Sequence, residues 1–419
     1  MRSVHFIWEF PPSVGGGLGT SASELTRFLV RLGNEVTVLS MNPDNQLPTT
    51  DNWKGVDVHR PMIADMSDVF PVFVDHDLRG WGDNLKFFSD VMAYNTLATT
   101  KFLNSINRGD RRKFDLVHAH SWMGITAGAS VKKSTKLPLA FQVHSTEKGR
   151  SNGMGSRTVE ELEFLGSRKA NIVVTVSNAM KKEIVTLGMA RPEKVHVCYN
   201  GVDTNNYNPD KAEKDLMDRL RTYYGIEDGQ RMILFIGRIT RTKSPTNLIT
   251  AMTEVIEDLP ETKLVMVGVG ELSQEVKDLI NTHELKDHVK FRNEYISIEE
   301  KRAHYAIADL CVFPSIYEPF GISCMEAMSM QRPVVVGASG TNGLKEQVIP
   351  DGPNKNGIHI DGNDPSDIAW GIQEALSSDD QLRRMGDNAR KRAVENFDWE
   401  DMAQDMVDIY KVCVRDNGH

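Results

Sequence analysis

Short apolar runs rich in β-branched residues recur along the whole chain, with stretches of helical spacing between them. In the first half they are "SVHFIWEF", "EVTVLS", "FDLVHAH", "LPLAFQVH", "NIVVTVS" and "KVHVCYNGV"; in the second, "RMILFIG", "TKLVMVGVG", "HVKFRNE", "DLCVFPS" and "RPVVVGAS". Runs this short and this uniformly apolar suit strands buried on both faces, and a helix between successive strands is the crossover that parallel pairing requires. The opening shows one whole unit: a strand, the helical "SASELTRFLVRLGN" with a C-cap near Gly33-Asn34, and a second strand. The expected fold class is therefore α/β, built of doubly wound parallel sheets. The segment "NGVDTNNYNPD", rich in turn formers, sets a boundary near residue 205. Two such domains, 1–205 and 206–396, fit a chain of 419 residues. The tail reads as two amphipathic helices meeting near Phe397 and Trp399, with 397–419 as a packing element.

Composition narrows the partners. A net charge of -9 with 26% charged and 40% hydrophobic residues describes a folded protein and argues against nucleic acid. The basic clusters Arg111-Arg112-Lys113 and Lys181-Lys182 lack interleaved aromatics and read as solvated helix ends or loops, with peripheral membrane contact through the first left open. No run reaches the ~18 apolar residues that span a bilayer, and "MRSVHFIWEFPP" lacks a signal-peptide layout, so a cytoplasmic protein without a transmembrane segment is expected. Cys198, Cys311, Cys324 and Cys413 have no C-x-x-C spacing and read as reduced core residues, not metal ligands.

In open parallel sheets ligands bind beyond the strand C-termini, so the loops there carry the information. After the first strand comes "WEFPPSVGGGLGTSASEL", whose bare N–H groups ahead of a helix suit a phosphate. Gly17 to Ala22 even fit G-x-G-x-x-A, but Trp8 to Val14 separate them from the strand, unlike a dinucleotide fingerprint. "GRITRTKSP" puts Arg238 and Lys243 between a strand end and a helix, where two cations could neutralise a departing diphosphate; a solvated basic loop is the alternative. "PSIYEPFGISCMEAMSM" places Glu318 on a turn, helix-start N–H groups near Gly321 and Ile322, and Glu326 one turn further in an apolar run. Carboxylates facing a cleft could take the paired hydroxyls of a sugar or ribose, or simply pair with a Lys or Arg. His118, His120 and His144 lie near strand ends; His144, before a polar loop, is the functional candidate, and hydrogen-bonded structure is the plainer reading for the other two. Asp75-His76-Asp77 resembles a metal-binding D-x-D without a supporting acidic cluster, so no metal is expected.

Together these segments resemble the retaining GT-B glycosyltransferases, the group 1 type that includes glycogen and starch synthases, trehalose and sucrose-phosphate synthases and phosphoinositol mannosyltransferases. The carriers are E-P-F-G-x-x-x-x-E at Glu318 to Glu326, G-R-x-x-x-x-K at Gly237 to Lys243, "VSNAM" at Val176 to Met180 and "NGVD" at Asn200 to Asp203. The resemblance implies two facing Rossmann-like domains, the first on the acceptor side and the second binding the nucleotide sugar, with the last helix crossing back to the first. It implies that Glu318 contacts the transferring sugar and Glu326 the ribose, with Phe320, Gly321 and Ile322 beside the donor. Arg238 and Lys243 match the diphosphate clamp, Gly16-Gly17 the glycine loop over it, and His144 the histidine beside the anomeric carbon. "RGWGDNLKFFSDVM" and "HAHSWMG" are similar to acceptor-side segments of glucan synthases, which favours glucosyl transfer to an α-glucan from UDP- or ADP-glucose, with a GDP-sugar and small or lipid-linked acceptors as alternatives. Ser121 stands where bacterial glycogen synthases have an aspartate, and the loop before Gly15 lacks their lysine, so hexose and base stay open.

The expected reaction is metal-independent hexosyl transfer with retention, needing no cofactor, with Arg238, Lys243, Glu318 and His144 as the catalytic set. Rivals are an epimerase or a phosphorylase, and outside catalysis a sugar-nucleotide sensor.

Overall fold

The computed structural model describes residues 1–66, 68–74, 76–81, 84–107 and 113–415. Arg111, Arg112 and Asp75, singled out above, lie outside them. The chain divides into two units, Met1–Asn200 with Trp399–His419, and Gly201–Asp398.

The first unit is built on eight strands, β1 (Arg2–Ile7), β2 (Glu35–Ser40), β3 (Thr50–Trp53), β4 (Val56–His59), β5 (Leu116–His120), β6 (Leu139–Val143), β7 (Ile172–Thr175) and β8 (Val195–Val197). Their order is β3-β4-β2-β1-β5-β6-β7-β8. All pairings are parallel except β3 with β4. Every residue of β1, β5, β6 and β7 is buried, as apolar runs without alternation require. The β3–β4 hairpin is not apparent from the sequence because β3 is a polar edge strand with little burial.

The C-terminal helix Trp399–Arg415 belongs to this unit. Trp399, Met402, Ala403, Met406, Val407, Tyr410 and Cys413 are buried along one face, which packs on helix Gly17–Arg31 and on β5 and β6. At about 2 kcal/mol for each large apolar side chain withdrawn from water, that stripe fixes where the helix goes.

The second unit has β9 (Arg231–Ile236), β10 (Thr262–Val267), β11 (Val289–Arg292), β12 (Leu310–Phe313), β13 (Val334–Gly337) and β14 (Gly357–Ile360), all parallel in the order β11-β10-β9-β12-β13-β14. The two central strands, β9 and β12, present their C-terminal loops side by side. The Thr242 carbonyl accepts from Ile316 N–H at 2.9 Å and from Tyr317 N–H at 3.4 Å. The loop after β13 joins them: Glu318 N–H donates to Thr341 O at 3.3 Å, and Gly343 N–H donates to Glu318 O at 2.7 Å. A side chain at residue 343 would place its Cβ 2.4 Å from Pro319 O, so only glycine allows this approach. All four cysteines are buried, with no disulfide among the described residues.

Candidate active site

The second unit gathers most of the residues singled out in the sequence. Arg238 leaves β9 into solvent and has no hydrogen bond or ion pair among the described residues. Lys243 ends the short turn Arg241–Lys243 and pairs with Glu318; their side chains keep 19% and 13% exposure. Two groups 75 positions apart in the chain thus meet because β9 and β12 are neighbours.

Gly321 opens helix Ile322–Ser329 at φ 110°, where a Cβ would lie 2.3 Å from Leu344 Cδ2. No side chain caps this helix, so the amide hydrogens of its first turn remain as its positive end. The Phe320 ring is buried against Phe397 with centroids 6.1 Å apart, and its carbonyl accepts from Gln347 Nε2 at 2.8 Å. What Phe320 can offer a ligand is therefore its backbone.

The Glu326 side chain is 4% exposed. Lys301 Nζ donates to its two oxygens at 3.0 and 3.2 Å, and Tyr305 Oη donates to Oε2 at 2.9 Å. Burial, with the Glu326 charge beside it, holds the Tyr305 hydroxyl well above the usual phenol range, so it stays a donor. Each of the two carboxylates therefore has a lysine partner, as ordinary ion pairing would have it. A carboxylate has about four lone-pair sites, and Glu326 uses three, which leaves room for one ligand hydroxyl. Lys301 and Tyr305 lie 25 and 21 positions upstream on another helix, and no local pattern marks them.

The first unit carries Gly16, Gly17 and His144. Gly16 is the N-cap and Gly17 the first residue of helix Gly17–Arg31, with no side-chain cap. Gly15 N–H donates to Glu9 Oε2 at 3.2 Å, so the glycine loop holds a carboxylate of its own chain, a partner that the motif does not reveal. The "VSNAM" and "NGVD" motifs have local structural work here: Ser177 caps the helix Asn178–Thr186, and Asn200 accepts from Ser21 Oγ at 2.5 Å. Asp77 accepts from Ser156 Oγ at 2.7 Å and Thr158 N–H at 3.2 Å, and the Ser156 bond leads in holding it below the usual carboxylate range. That commits Asp77 to the start of helix Arg157–Lys169.

His144 follows β6, half-buried, with Nε2 3.2 Å from His120 Nδ1. Burial lowers it to about 4, so it is neutral at pH 7. The loop it opens is tied down by Glu163, which accepts from Glu147 N–H at 3.0 and 2.9 Å and from Arg150 Nη1 at 3.2 Å. Burial pushes Glu163 from 4.5 up to about 7. A raised folded-state value means that the stability attached to the protonated acid is complete below pH 4.5 and is lost as pH rises through about 7. Glu163→Gln should flatten that decline; thermal melts at pH 5 and pH 8 read it as a smaller drop in Tm than in the parent.

Residues 217–392 match the family model described as glycosyl transferases group 1, and residues 15–206 match glycosyltransferase family 4. An uncharacterized glycosyltransferase of Methanocaldococcus jannaschii is 32% identical over 417 residues, 99% of each chain. The chain is a group 1 glycosyltransferase. Another relative of this group 1 glycosyltransferase is the glycogen synthase of Mycobacterium tuberculosis, 27% identical over 424 residues, with 99% of this chain and 95% of that one covered. Its fold is GT-B: the catalytic domain of starch synthase IV from Arabidopsis thaliana, bound to ADP and acarbose, superposes with a TM-score of 0.76 at 18% identity over 99% of both chains. Among the described residues of the glycosyltransferase, no helix is long and apolar enough to cross a membrane.

Proposed function

We propose that this glycosyltransferase moves a hexosyl unit, glucosyl by preference, from a nucleoside diphosphate sugar to a hydroxyl of a carbohydrate acceptor, an α-glucan, with retention and without a catalytic metal. The observation that carries the reading is the assembly at the ends of β9 and β12: the exposed Arg238, the Lys243–Glu318 pair and an uncapped helix start at Gly321. These groups suit a diphosphate whose charge grows as it leaves. The glycogen synthase relative and the ADP- and acarbose-bound neighbour support a nucleotide sugar and a glucan.

In the proposed step the bond between the anomeric carbon and the β-phosphate oxygen breaks, and its electron pair passes to the diphosphate. Arg238, Lys243 and the first-turn amides of helix Ile322–Ser329 take up that charge. The acceptor oxygen attacks the same face, and its proton passes to the departing phosphate. Glu318, tied to Lys243, orients the sugar and is not a covalent nucleophile, while the neutral His144 imidazole hydrogen-bonds beside the reacting carbon.

A panel of UDP-, ADP- and GDP-sugars tests the reading by release of nucleoside diphosphate, first alone and then with glucan, small sugars or lipid extract, each with and without EDTA. Release that depends on glucan, survives EDTA and yields an α-linked product by proton NMR is expected. Conversion of the donor without any acceptor would point to an epimerase, and binding without turnover to a sensor.

A further inference from the structure

A line of hydrogen bonds runs from the interior of the first unit to His144. Ser3 Oγ lies 3.0 Å from His5 Nε2, His5 Nδ1 lies 3.2 Å from His120 Nε2, and His120 Nδ1 lies 3.2 Å from His144 Nε2. The sheet makes this arrangement. His5 on β1 is in register with His118 on β5, and His120, two residues on, shares that face. Ser3, His5 and His120 are buried, and among the described residues none hydrogen-bonds to His144 Nδ1.

A neutral imidazole has one donor nitrogen and one acceptor nitrogen. Burial drives His5 down to about 3 and His120 well below its ordinary value, so all three rings are neutral at pH 7. Each nitrogen–nitrogen contact then holds a single proton, and a ring that donates through one nitrogen must accept through the other. The line has only two arrangements, with every proton pointing outward or every proton pointing inward. Reversing one ring means reversing them all.

We propose that Ser3, His5 and His120 are positioning residues for the transfer: the line they form to His144 Nε2 locks the tautomer of that imidazole to their own, so that what its Nδ1 offers to the reacting sugar cannot change unless all three rings reverse. The proposal rests on the role given to His144 above. A metal reading of the same cluster is weaker. Nitrogens of His5, His118 and His120 lie within 4.8 Å of one another, but the group contains no carboxylate or thiolate, and both nitrogens of His5 and of His120 are already engaged. His118 stands outside the line, with Nδ1 2.6 Å from Tyr410 Oη.

Long-range proton–nitrogen correlation spectra of the full chain labelled with nitrogen-15 histidine, without substrate at pH 7.5, read the tautomers directly. His144 should be a single tautomer in the parent and a mixture in Ser3→Ala and His5→Phe. Tyr410→Phe, which removes the hydroxyl bonded to His118 and keeps the ring that packs beside His5, should leave it single. In the transfer assay His5→Phe should lower kcat about tenfold with donor KM within about twofold, and His5→Gln, whose amide both donates and accepts, should recover most of the loss. A mixed tautomer in the parent, a His144 signal indifferent to Ser3→Ala and His5→Phe, or one zinc per purified chain lost in His118→Phe would each overturn the proposal. Because the spectra need no turnover, a failed tautomer test leaves the proposed transfer standing, and a failed transfer assay leaves the tautomer measurement valid.

Discussion

Lys243→Ala should lower the rate of sugar transfer at saturating donor by a hundredfold or more, about 3 kcal/mol of transition-state stabilisation. Two effects act in the same direction. The substitution removes one of two cations proposed to meet the leaving diphosphate, and it leaves the sheltered Glu318 carboxylate without its partner. An uncompensated anion at that place repels the charge that develops during bond cleavage. Lys243→Arg, which keeps the charge but changes its reach, should lose less. Initial rates of nucleoside diphosphate release, with circular dichroism as a control for folding, decide the matter. If kcat/KM of Lys243→Ala stays within twofold of the parent, the proposed clamp is wrong.

Glu326→Ala should be costly in two separable ways. The carboxylate anchors Lys301 and Tyr305, and removing one member of a buried pair costs about 3–5 kcal/mol. Lys301 retains 25% exposure and can turn to water, so roughly 2 kcal/mol is the better expectation, a fall in Tm of about 4–8 °C. If Glu326 also holds the ribose, donor KM rises much more than kcat falls. The double variant Lys301→Met with Glu326→Leu separates the two roles. It should restore much of the Tm by replacing the ion pair with apolar packing, and it should leave donor KM high. A double variant with parental KM would make Glu326 purely structural.

The sequence already showed the sheets through their apolar runs, since a strand covered on both faces has no other composition open to it. The elements it hid are those to which this does not apply. β3 is exposed, and β14 is a four-residue strand that follows the turn-rich "DGPNKN". The site was legible to the same degree. Arg238, Lys243, Glu318 and Glu326 stand out because charge is rare beside buried strands. Their partners do not, because Lys301 with Glu326 and His5 with His120 are joined only once strand order and helix packing are known. His118 and His120 could be placed on one face by their spacing alone, whereas the third imidazole depends on β1 lying beside β5.

The main chain of the Glu318 turn bonds to the loops before and after it through Thr242, Thr341 and Gly343, a fastening that does not depend on which side chain residue 318 carries. Exchanging the side chain at 318 would leave those main-chain bonds in place. At the proposed site, donor preference can therefore drift through single substitutions with the backbone left as it is.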